Sequence, residues 1–211
     1  MYLNKRIPQT LLGKEFVFGW LEDVKCNICE KKISYIYPIV ELSVGIIWLA
    51  SSFLFINTYD SLGFAIIASI LLAIAVIDYR HFIIPLELSV FCFLFICIFL
   101  VLNGKFINHL DGLLIGTGYL SIILLITWLV TKRQGLGLGD IQLAVILGLW
   151  FGDIRILLVI FLSAFIALIT WVLISFNDKF DKNRPLPFGS FLSIVSIFIY
   201  LLDLSQFSFL F

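Results

Sequence analysis

Between Pro38 and Leu202 the chain is a succession of long apolar runs with short polar interruptions, and within the runs apolar and polar residues do not alternate. A helix needs about 20 mostly apolar residues to cross a bilayer, whereas a membrane strand needs about 10 alternating ones. The runs therefore predict an all-α fold, a polytopic transmembrane helical bundle. With 62% hydrophobic residues, 13% charged residues and a mean hydropathy of +1.12, a soluble globular fold is excluded.

Reading the interruptions as loops gives seven spans, from Pro38 to Ile56, Leu62 to Asp78, Leu88 to Leu102, Leu113 to Val130, Ile141 to Phe151, Ile154 to Phe176, and Phe188 to Leu202. The fifth is short. Residues 1–36 are the most polar part and are expected to face water, with 37–211 forming the membrane domain. The opening residues do not resemble a cleaved signal peptide, so insertion is expected to rely on the spans.

Basic residues set the direction, because Lys and Arg accumulate on the cytoplasmic side. With the N-terminus inside, twelve of the 14 basic residues fall in cytoplasmic segments, and Lys105 and Arg155 fall outside. The formal net charge is zero, which makes no bulk electrostatic demand on nucleic acid. The expected surroundings are a lipid bilayer, in the plasma (cytoplasmic) membrane.

Two acids stand out against this apolar background. Asp78 ends the run from Ile70 to Ile77, and Asp140 follows Gly135-Leu-Gly137-Leu-Gly139 at the lip of the fifth span. A carboxylate at membrane depth is rare unless it has a partner, meets water or does chemistry. The predicted topology puts both on the same cytoplasmic face. Two carboxylates within hydrogen-bond range hold one shared proton and can activate a water between them. Gly137 and Gly139 would shape the loop or let a substrate strand approach closely. Asp140 lies at a partially positive helix start and Asp78 at a partially negative helix end, so Asp140 is expected to be the more often ionised member. Read singly, Asp140 is equally an N-cap and Asp78 a solvated interfacial charge.

These residues belong to wider blocks. Lys132 to Gly152 (KRQGLGLGDIQLAVILGLWFG), Asp78 to Pro85 (DYRHFIIP), Cys26 to Glu41 (CNICEKKISYIYPIVE) and Leu186 to Leu192 (LPFGSFL) together resemble the type IV prepilin peptidases, the GxGD membrane aspartic peptidases. The resemblance implies an aspartic endopeptidase whose catalytic residues are Asp78 and Asp140. It also implies a cytoplasmic-facing active site that removes the basic leader of type IV prepilins and pseudopilins, after glycine and before phenylalanine. The pattern departs at Leu86, where an acid is common, and at Gln142, where lysine is common. It corresponds to a short form that lacks the usual first span and first Cys-x-x-Cys pair, and for that reason N-methylation with S-adenosylmethionine is not expected.

Proteolysis by two carboxylates requires no cofactor. Cys26 and Cys29 have zinc-like spacing but supply two of the four ligands a structural site takes, so a zinc site is not expected. Cys92 and Cys97 read as packing residues, and Glu41 as an interfacial residue that the resemblance places near the catalytic face. The competing reading is a non-catalytic protein, either a degenerate homologue or a proton-coupled carrier whose acids relay protons. A carrier would prefer those acids near the bilayer midplane.

Overall fold

The computed structural model describes residues 35–132, 137–177 and 186–207, and among these all regular structure is helical. The helices are α1 (Ile36–Leu54), α2 (Thr58–His81), α3 (Leu86–Leu102), α4 (Phe106–Thr131), α5 (Leu138–Phe151), α6 (Arg155–Asn177) and α7 (Phe188–Phe207). They correspond one for one to the apolar runs; most bounds move outward, by up to two turns at the start of α4, while α1 ends two residues earlier and α6 begins one residue later than expected. Four of them, α1, α2, α4 and α6, are long and apolar enough to cross a membrane. Leu86–Leu102, Leu138–Phe151 and Phe188–Leu202 are shorter apolar helices.

The chain divides into two units, Met1–Ile46 and Ile47–Phe211. The described part of the first is the opening of α1, where the Ser43 hydroxyl donates to the Ile39 carbonyl at 2.7 Å. The packing and the cavity described below belong to the second unit.

The helix ends follow from local chemistry. Asn57 caps α2 by accepting the Tyr59 N–H at 3.2 Å. At the other end Phe82 turns left-handed at φ 55°, its N–H donating to the Asp78 carbonyl at 2.8 Å. Pro85 then prevents the helix from continuing and opens α3. α5 starts at Gly137 and stops at Gly152, whose φ of 75° suits glycine. Loops of a few residues join α2 to α3, α3 to α4 and α5 to α6, so these neighbours run antiparallel.

α5 is the buried helix of this unit. Nearly every residue from Leu143 to Phe151 is buried, and the helix packs against α3, α4, α6 and α7. Among apolar neighbours the hydrophobic effect cannot hold helices together, so close packing must. Gly112 of α4 and Gly148 of α5 provide it: a Cβ on either would come within 2.5 Å of the other's carbonyl oxygen. Outward positions such as Leu114, Ile122 and Phe161 are large, apolar and exposed, as suits a surface against lipid.

Candidate active site

Asp78 and Asp140 arrive from different directions. Asp78 lies in the last turn of α2, and Asp140 in the first turn of α5. They line one cavity of about 440 Å³, together with Ile83, Ile84, Gly137, Gly139, Gln142, Leu186 and Phe188. No basic side chain lines this cavity among the described residues.

Neither single-residue reading of the acids holds. Asp78 is 5% exposed, so it is not a solvated interfacial charge. Asp140 is not the N-cap of α5. That position belongs to Gly137, and Asp140 reaches back so that its Oδ2 accepts the Gly137 N–H at 3.1 Å. This arrangement turns the carboxylate inward over the first helical turn instead of leaving it in the loop.

Asp78 is held by a residue to which the sequence reading gave no role. The Ser190 N–H donates to Asp78 Oδ2 at 2.7 Å, and the Ser190 hydroxyl is 3.0 Å from the same oxygen and 2.8 Å from the Ala75 carbonyl. A hydroxyl has one proton, so it serves one of these acceptors at a time. Among the described residues more donors therefore meet Asp78 than Asp140, a contribution that the fields of α2 and α5 alone leave out. The physical reason is α7: its N-terminal turn, with free N–H groups, meets Asp78 from 112 residues further along the chain. The available signal was a small Gly189-Ser190 pair opening an apolar helix.

The glycines act through space, not through unusual dihedrals. Gly137 has an ordinary φ of −74°. A Cβ on Gly139 would stand 3.1 Å from Ile84 Cβ, and one on Gly189 would stand 3.1 Å from Asp78 Oδ2. Three helix ends thus converge on the acids because small residues allow it. Positive φ outside glycine occurs, among the described residues, at Phe82 and Lys132, the C-caps of α2 and α4.

Of the other sequence-predicted residues, Glu41 lies in the first unit, in the second turn of α1. Cys26 and Cys29, the partial zinc pair, lie outside the described residues. Cys92 is buried and Cys97 partly buried on α3, as packing residues would be. No group of three or more potential metal ligands occurs among the described residues.

Fold and site together define a helical membrane protein with two aspartates converging on one cavity. Comparison with known proteins then specifies which. Residues 65–172, a stretch containing both acids, match the model of the Type IV leader peptidase family, and the chain belongs to that family. It is 30% identical over 188 residues to a prepilin leader peptidase/N-methyltransferase of Pectobacterium carotovorum subsp. carotovorum, covering 87% of this chain and 66% of that protein. The corresponding proteins of Pseudomonas aeruginosa and Dichelobacter nodosus are 31% and 33% identical, over 81% and 84% of this chain and 59% and 62% of theirs. The chain thus spans about three fifths to two thirds of the length of these curated relatives. No solved structure matches it. The family resemblance drawn from the sequence blocks is borne out.

Proposed function

We propose that this protein is a membrane-embedded aspartic endopeptidase that removes the basic leader of type IV prepilin-like precursors, with Asp78 and Asp140 as its catalytic pair. The observation that carries the reading is the convergence of two carboxylates, 62 residues apart in sequence, on one cavity at the ends of their helices. The names of the relatives supply the substrate class.

The pair holds one proton between its two carboxyl groups. The ionised member takes a proton from a water, and the water oxygen bonds to the scissile carbonyl carbon. The protonated member gives its proton to the carbonyl oxygen, forming a tetrahedral diol. Collapse of the diol breaks the C–N bond. The leaving nitrogen takes a proton from the carboxyl that received the water's, and the hydroxyl proton returns to the other carboxyl. The pair ends as it began, and no metal or cofactor enters any step. Ser190 holds Asp78 through Oδ2, and Oδ1 would be the oxygen that meets the water. Ile83, Ile84, Leu186 and Phe188 provide an apolar wall that strengthens charge interactions inside the cavity.

The chain would cross the plasma membrane several times with its N-terminus and both acids on the cytoplasmic side, in keeping with the distribution of basic residues. A basic leader would then remain in water while the apolar part of the precursor packs against the helices. The carrier reading gains no support from acids at helix ends. The test is co-expression with a type IV prepilin. Leader removal by wild type, lost separately in Asp78→Asn and Asp140→Asn, is the expected result; intact precursor beside a well-folded wild type would reject the proposal.

A further inference from the structure

Gln142 follows Asp140 by two residues on α5, and its side chain borders two spaces at once. One is the aspartate cavity. The other is an apolar groove of about 180 Å³ between α3 and α5, walled by Leu86, Val90, Phe93, Val145 and Ile146. The only other polar side chain of the groove wall, Ser89, already donates to the Pro85 carbonyl at 2.9 Å. Gln142 Nε2 is sealed from solvent within the protein and has no hydrogen-bond partner among the described residues. Leaving a buried donor unmade is costly, and native proteins do so rarely.

From this, and resting on the peptidase reading above, we infer that the Gln142 amide turns out of the wall on binding and that its Nε2 donates a hydrogen bond to a main-chain carbonyl of the precursor where it passes from the aspartate cavity into the α3–α5 groove. The chemistry of the three parts fits. An NH2 group can only donate, and an extended peptide segment offers carbonyls at every residue. The groove has no charged wall, so it suits the apolar residues after the scissile bond and repels the basic leader before it.

The test uses the purified full chain and a purified type IV prepilin. Gln142→Met keeps the length of the side chain and removes the donor. The expected result is a KM raised about 5- to 10-fold with kcat held within about twofold, the size of one lost neutral hydrogen bond. Its Tm should not fall, because no partner is lost in the free enzyme. Val90→Trp, at a half-exposed position of the groove wall, should raise KM in the same way. A Gln142→Met enzyme with unchanged KM, a loss confined to kcat, or a lowered Tm would overturn the inference while wild-type cleavage left the peptidase standing. Failure of the wild type to cleave would instead remove the reading beneath it.

Discussion

The two ends of the second unit handle charge in opposite ways. At the end away from the aspartates, Arg155 Nε lies 2.7 Å from Asp153 Oδ2, and His109 Nδ1 lies 2.9 Å from the Leu149 carbonyl. A smaller cavity there, of about 170 Å³, has Asp60, Lys105 and His109 in its wall beside the stacked rings of Trp150 and Tyr200. Acids and cations are mixed. At the working end the wall holds two acids and no cation among the described residues, and the donors that meet them are neutral N–H and O–H groups. Opposite charges meet one another at the one end, whereas at the other two acids meet neutral donors, as the proposed peptidase would need to hold a shared proton.

The largest expected break in this contrast is at the acids. Asp78→Asn or Asp140→Asn should lower the cleavage rate by at least about a thousandfold with helix content unchanged, because members of a catalytic pair act as a unit. Loss in one variant alone would leave one acid without a role. Next comes the frame. Gly148→Val drives a side chain into the α4 backbone and should cost on the order of 3 kcal/mol, read as a lowered Tm in detergent. Ser190→Ala keeps the N–H on Asp78 and removes the hydroxyl, for which a fall in kcat of about tenfold is expected. The smallest effect belongs to the other end. Asp153 and Arg155 are each more than two-fifths exposed, so Asp153→Ala should cost at most about 1 kcal/mol and leave cleavage within about twofold of wild type. If Asp153→Ala reduced cleavage as strongly as Ser190→Ala, the two ends would not be distinct in function.

Much of this was legible in the amino-acid order. Each apolar run became a helix, because in a chain so poor in polar residues the backbone satisfies itself locally and the breaks are marked by Asn57, Pro85, Gly104 and Gly152. The two acids were legible because each interrupts hydrocarbon. Ser190 was not, since serine in an apolar helix usually bonds back to its own backbone, as Ser163 does to the Val159 carbonyl. Its partner is a long-range one that only the packing of α7 against α2 supplies. The field argument about the two acids left out the same contact: it counted the helix that carries Asp78 and not the one that meets it.

Fourteen residues of α5 reach about 21 Å, which is roughly 9 Å less than the usual hydrocarbon thickness. Its partner α4, at 26 residues, is amply long. Because Gly112 and Gly148 lock the two backbones together, the short member cannot slide to hide the shortfall. Because α3, α4, α6 and α7 enclose α5, the shortfall faces the aspartate cavity at its N-terminal end and not the lipid. A recess of this kind would carry solvent down to Asp140 and spare the precursor from leaving the bilayer to be cut.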